Sequence, residues 1–184
     1  MTLTKTPICD FNKKAEKFKL KSIDNKILGL DDIKGEKGTL IMFICNHCPY
    51  VKAIIDELVS DCKKLENYGI KAAAICSNDV INYPEDSFDN MIKFSKNHNF
   101  NFPYLHDENQ KVAKVYDAVC TPDFFGYNNN LELQYRGRIR ELKNLKPSGS
   151  GESDLLQALK MIAETGKGPK KQIPSMGCNI KWIN

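Results

Sequence analysis

Cys45-Asn46-His47-Cys48 is the segment whose residue types and spacing carry chemistry by themselves. Two cysteines three apart on a first helical turn place their Cα atoms about 5 Å apart, a separation a disulfide accepts, so the pair opens and closes with little backbone movement. The unpaired N–H groups and macrodipole of a helix start favour negative charge and raise the thiolate fraction of a thiol there. Cys45, at the exposed N-terminal end, reads as the nucleophile. His47, between the thiols, is placed to stabilise the Cys45 thiolate and make the disulfide a stronger oxidant. Pro49 follows where a first turn needs no N–H. Two other uses of these residues compete: small buried side chains at a strand-to-helix junction, or a zinc or copper site of Cys45, His47, Cys48 and a distant cysteine. The sequence has no second CxxC or HxxxH cluster to complete that site, and no metal is assigned.

The elements around this segment must place it where a strand ends and a helix begins. Thr39–Ile44 reads as a strand buried on both faces. Val51, Ile54, Ile55, Leu58, Cys62 and Leu65 then follow helical spacing until Gly69 stops the run. Ile70–Cys76 is a second buried strand, and Pro84-Glu85-Asp86 signals the start of a helix containing Phe88, Met91 and Ile92. A short helix is expected around 110–117. Asp24-Asn25 joins an N-terminal hairpin of 18–20 with 27–30. Asn128-Asn129-Asn130 joins a second hairpin of 124–127 with 131–137, because asparagine tolerates left-handed conformations. Leu155, Leu156, Leu159, Ile162 and Ala163 mark the last helix, capped by Ser153 or Asp154 and ended by Gly166. The alternating periods predict a single α/β domain over 1–184, with a core of about 16–166 and a tail, 167–184, that packs back onto the body.

Composition narrows the class. Seven cysteines in 184 residues fall short of a disulfide scaffold, and an odd number cannot all pair internally. The net charge of +4 is dispersed and only three of 27 cations are arginine, so no nucleic-acid partner is expected. The longest apolar run, Leu40–Cys45, is far shorter than the roughly 20 residues of a membrane-crossing helix. The lysine-rich N-terminus shows no secretory pattern, so a cytoplasmic protein without a membrane partner is expected.

The segments FICNHCPYVKAI (43–54), SNDVINYPEDS (77–87), FPYLHDENQKVAKVYDAVCTPDFF (102–125), YRGRI (135–139) and GCNIKWI (177–183) resemble one subfamily of the thioredoxin-like proteins. That subfamily, marked by CNHC and a C-terminal GCxIKW, is grouped with the peroxiredoxin-like (alkyl hydroperoxide reductase/thiol-specific antioxidant) superfamily. The resemblance covers nearly the whole chain. It implies a thioredoxin-like fold, a central mixed sheet flanked by helices, with a cis-proline facing the CxxC. Thr121-Pro122 matches that position, which implies that the Thr121 backbone docks an extended substrate. It also implies disulfide or peroxide substrates and recycling by a thioredoxin or glutathione system. The peroxidase pattern, in which a proline and a threonine precede the reactive cysteine, would align Cys48 with that cysteine, but Ile41 and Cys45 occupy the other two positions. Arg140-Glu141 departs from the subfamily's usual acidic pair, so no role is carried over to it.

Cys120 and Cys178 are possible auxiliary thiols that could resolve a sulfenate or relay a disulfide. Packing is the plainer use of both. Cys62 and Cys76 read as core, Cys9 has no evident partner, and His98 and His106 read as surface residues. Trp182 reads as the anchor of the tail. The expected activity is thiol–disulfide exchange through Cys45, Cys48 and His47, with no cofactor because the electrons reside in the dithiol. A thiol peroxidase is the alternative, and a metal-binding thiol protein is less favoured.

Overall fold

The computed structural model describes residues 2–183. Met1 and Asn184, the ends of the boundaries drawn from sequence, lie outside the described residues. In chain order the strands are β1 (Leu3–Lys5), β2 (Lys19–Ser22), β3 (Ile27–Gly29), β4 (Gly38–Phe43), β5 (Ile70–Cys76), β6 (Tyr104–His106), β7 (Cys120–Thr121), β8 (Asp123–Asn128), β9 (Leu133–Tyr135), β10 (Leu142–Lys143), β11 (Lys146–Pro147) and β12 (Met176–Asn179). The helices are α1 (Leu30–Ile33), α2 (Pro49–Glu66), α3 (Phe88–Asn97), α4 (Lys111–Val115) and α5 (Asp154–Thr165).

Seven strands form the central sheet in the order β3-β2-β6-β5-β4-β8-β9, with β4 parallel to β5 and antiparallel to β8. Every residue of β4 is buried, because successive side chains enter opposite layers. Leu40 and Met42 pack with α2 and α5, while Ile41 and Phe43 pack with Val112 and Ala113 of α4. This is the mixed, helix-flanked sheet that the resemblance implies. The α2 stripe read from sequence is buried throughout, and Gly69 ends that region at φ 71°. Ser153 caps α5 by accepting the Leu156 N–H at 2.9 Å, a contact typically worth about 1 kcal/mol. Its hydroxyl donates to the buried Asp61 of α2 at 2.6 Å, so the cap also ties the two helices together.

Three expectations are corrected. In the 128–130 turn the left-handed residue is Leu131, at φ 57°, and none of the three asparagines has positive φ. Asn128 acts through its side chain instead, its Oδ1 accepting the N–H groups of Asn130 and Glu132 at 3.0 Å. The tail does fold back, but Ile180 and Lys181 are buried in it while Trp182 is 39% exposed. His98 and His106 are half-buried rather than surface residues, and His106 packs on Phe88.

The tail strand β12 is the centre of a second sheet, antiparallel to β1 on one side and to β7 on the other. Cys178 thereby faces both Leu3 and Thr121 in register. None of the described helices is long and apolar enough to cross a membrane.

Candidate functional site

Helix α2 begins at Pro49, with Cys48 as its N-cap, so only Cys48 sits at the helix start and Cys45 lies in the preceding turn. The N-terminal field of α2 therefore acts on Cys48 rather than Cys45. Both cysteines are fully buried, so Cys45 is not the exposed thiol expected from sequence. The loop that carries them is held by Asn46, whose amide donates to Glu85 O at 3.0 Å and whose Oδ1 accepts from Tyr104 Oη at 3.0 Å.

Four groups that can donate to sulfur converge on Cys48. The Cys45 thiol contributes most, followed by the Cys178 thiol and the backbone N–H groups of Val51 and Cys178; against burial they lower its pKa to about 5. As a thiol, Cys48 donates to Thr121 O at 3.1 Å, but that one carbonyl is outnumbered once the sulfur ionises. Cys45 is driven the other way. Its contact with Cys48, its burial and the nearby Asp86 carboxylate all hold it as a thiol, 3.3 Å from Thr121 Oγ1. These directions favour ionisation at Cys48 over Cys45, whereas the sequence alone pointed to Cys45.

The reduced protein is accordingly expected to show thiolate ultraviolet absorbance with a midpoint near pH 5, absent in Cys48→Ala. Cys45→Ala should move the midpoint up by removing the largest lowering contact. A midpoint at the ordinary thiol value in the unsubstituted protein would contradict this geometry. The sign for stability follows: a depressed thiol pKa stabilises the reduced fold fully above about pH 9, and that stabilisation is lost as pH falls through about 5.

His47 does not hydrogen-bond to either cysteine. Its Nδ1 meets Asp86 Oδ2 at 2.6 Å, its ring stacks on Tyr83, and its Nε2 is buried without a partner. The hydrogen bond to Asp86 raises the His47 pKa against the opposing effect of burial. Asp86 also accepts from Asn46 N at 2.8 Å, His47 N at 3.3 Å and Asn78 Nδ2 at 2.7 Å. Burial pushes its carboxyl up, but hydrogen bonds from His47 and Asn78 outweigh that and hold it below the usual range. Sequence reasoning missed this residue, reading it only as part of a helix start. Its place in a resembling segment, 77–87, was the available signal.

Cys45, His47 and Asp86 offer ligand atoms within 4.8 Å of one another, a set that replaces Cys48 with Asp86 in the metal reading. Asp86 is engaged by four hydrogen bonds, so a cation would have to strip it before binding.

The Thr121-Pro122 bond is cis and lies against the sulfurs, as the resemblance implies. Its backbone is already paired with the chain's own tail, Cys178 opposite Thr121. Cys178 Sγ lies 3.0 Å from Cys48 Sγ. Cys120, by contrast, donates to Pro122 O at 3.5 Å, and burial raises its pKa. Cys62 and Cys76 are buried as core residues, while Cys9 is half-buried, with burial pushing its thiol up to about 11. A groove of about 290 Å³ runs beside the site, lined in part by Tyr50 and Ile54 of α2, Pro122, Ile173 and Met176.

The AhpC/TSA family profile matches residues 11–142. The chain belongs to the AhpC/TSA family. No curated protein matches it significantly. Among solved structures, an uncharacterised conserved protein of Geobacillus kaustophilus is 40% identical with a TM-score of 0.93, over 100% of this chain and 97% of the other. A hypothetical protein of Sinorhizobium meliloti 1021 is 32% identical with a TM-score of 0.90, over 98% of each. A thiol:disulfide interchange protein of the thioredoxin family from Chlorobium tepidum is 16% identical with a TM-score of 0.63, over 83% of this chain and 97% of that one. At that identity the likeness shows the fold alone. Membership of the AhpC/TSA family makes this chain a redoxin, with chemistry carried by cysteine sulfur and with thiol or peroxide substrates typical of the family.

Proposed function

We propose that this protein is a single-domain thiol–disulfide oxidoreductase in which Cys48 is the attacking thiolate and Cys45 the resolving thiol. The convergence of donors on Cys48 carries the reading. The Cys48 thiolate attacks a partner disulfide, forming a mixed disulfide and releasing one partner thiolate. Cys45 then attacks the Cys48 sulfur, and its proton leaves with the second partner sulfur, which is released as a thiol. The partner is reduced by two electrons and the protein is left with a Cys45–Cys48 disulfide. A thiol reductant, of the thioredoxin or glutathione class, restores the dithiol. His47, whose pKa the Asp86 hydrogen bond raises, adds positive charge near the sulfurs when it is protonated and then favours the reduced form.

One observation favours a second reading. The low-pKa sulfur occupies the position that the peroxidase pattern assigns to its reactive cysteine, and its burial suits a substrate as small as a peroxide. Stopped-flow mixing of the reduced protein with a protein disulfide or with hydrogen peroxide separates the two. Exchange predicts rapid disulfide reduction that is lost in Cys48→Ser, with slow peroxide consumption. Rapid peroxide consumption that survives Cys45→Ser but not Cys48→Ser, with slow disulfide reduction, assigns the peroxidase instead.

A further inference from the structure

Three sulfurs meet at the start of α2, and the exchange reading uses only two. The third, Cys178, comes from a strand 130 residues away in sequence. Strand β12 pairs with the backbone of Thr121, the position where the resemblance places an extended substrate. The fit is close: a Cβ at Gly177 would lie 2.0 Å from Thr121 O, so only glycine lets the strand approach this far. Ser175 adds a hydrogen bond from its hydroxyl to Pro122 O at 2.8 Å, and β1 holds the other edge of the strand. The tail thus lies along the cis-proline segment as a bound peptide would, with a cysteine over the reactive sulfur. The 3.0 Å separation of Cys48 and Cys178 leaves roughly 1 Å to close to an S–S bond, within reach of small side-chain rotations.

We propose that β12 is a built-in substrate strand whose Cys178 competes with Cys45 for Cys48, so that the oxidised protein interconverts between Cys45–Cys48 and Cys48–Cys178 disulfides. The proposal rests on the thiol–disulfide reading above. In the interconversion the Cys178 thiolate attacks Cys48 Sγ of the Cys45–Cys48 bond. The Cys48–Cys178 bond forms as the Cys45–Cys48 bond breaks. Cys45 leaves with the electron pair and takes up a proton equivalent to the one Cys178 gave up. Nothing is oxidised or reduced overall. Cys178 is pushed up to about 12 by burial and Cys45 is also raised, so the entering and leaving thiols are both weak acids. The second form ties the tail covalently to the body and frees Cys45.

The reduced full chain is treated with glutathione disulfide, quenched in acid, digested and mapped by mass spectrometry. The unsubstituted protein is expected to yield both linkages. Cys45→Ser is expected to end as Cys48–Cys178 with no glutathione retained, and Cys45→Ser/Cys178→Ser to keep one glutathione on Cys48. Gly177→Ala, whose new methyl forces the strand off Thr121, should lose the Cys48–Cys178 linkage and keep Cys45–Cys48. If Cys45→Ser retains glutathione on Cys48 while the unsubstituted protein closes Cys45–Cys48, the relay is wrong and the exchange reading stands. If the unsubstituted protein forms neither linkage, both are wrong.

Discussion

Replacing Cys48 with serine is expected to slow the first attack on a partner disulfide at least about a thousandfold, because a hydroxyl at this site remains un-ionised and is a poor sulfur nucleophile. The loss is expected to be nearly complete because no other cysteine can take over. Cys45 is held as a thiol by its contact with Cys48, burial and Asp86, and Cys178 is likewise pushed up by burial. Cys45→Ser should behave differently: the first attack survives in a single turnover, and resolution is lost only when Cys178 is replaced as well. Stopped-flow single-turnover kinetics with a chromogenic disulfide separates the two steps, and Cys9→Ser, away from the site, should match the unsubstituted protein. If Cys45→Ser rather than Cys48→Ser abolishes the first attack, Cys45 is the nucleophile after all.

The second large effect concerns stability. Arg136 and Asp123 form a buried pair, Nη2 to Oδ2 at 2.9 Å and Nε to Oδ1 at 3.3 Å, with the guanidinium over the Phe125 ring. Arg136→Met is expected to cost about 3–5 kcal/mol, because it strands a carboxylate that has no access to water. Burial already pushes the Asp123 pKa up more than Arg136 pulls it down, so desolvation outweighs attraction even with the partner present. Asp123→Leu/Arg136→Met should recover much of the loss, since it removes both charges. Urea unfolding of the three variants against the unsubstituted protein measures both values. The site should feel the change too. Asp123 accepts the Val119 N–H at 3.2 Å, so the pair clamps the chain on either side of Cys120-Thr121-Pro122.

The parts of the fold legible in sequence are those where burial is periodic. β4, α2, β5 and α5 bury long apolar patterns, and those patterns survive the tertiary context. β1 and the β10–β11 hairpin escape such a reading. They are two or three residues long, and the hairpin is held by a turn at Asn144 and Leu145, both at positive φ. The residue types of the site are legible in the sequence, and the position of each cysteine relative to the helix start is not. Cys45, Cys48 and Thr121 were all named, but a helix that starts at Pro49 instead of Cys45 hands the favourable field to the other sulfur. Asp86 was hidden because its role comes from Asn46 and His47, some 40 positions earlier, and not from its own neighbours.

The placement of β12 between β1 and β7 sets an order of events during synthesis. Leu3 and Cys178 stand opposite each other, so one wall of the sulfur cluster joins segments about 175 residues apart. Until Cys178 has left the ribosome, Cys45 and Cys48 have neither the strand that covers them nor the two donors it supplies to Cys48. A nascent chain that stops short of β12 therefore carries an uncovered dithiol whose Cys48 is less acidic than in the folded protein. Full thiolate character arrives only when β12 docks, which ties the reactivity of the site to the synthesis of that strand.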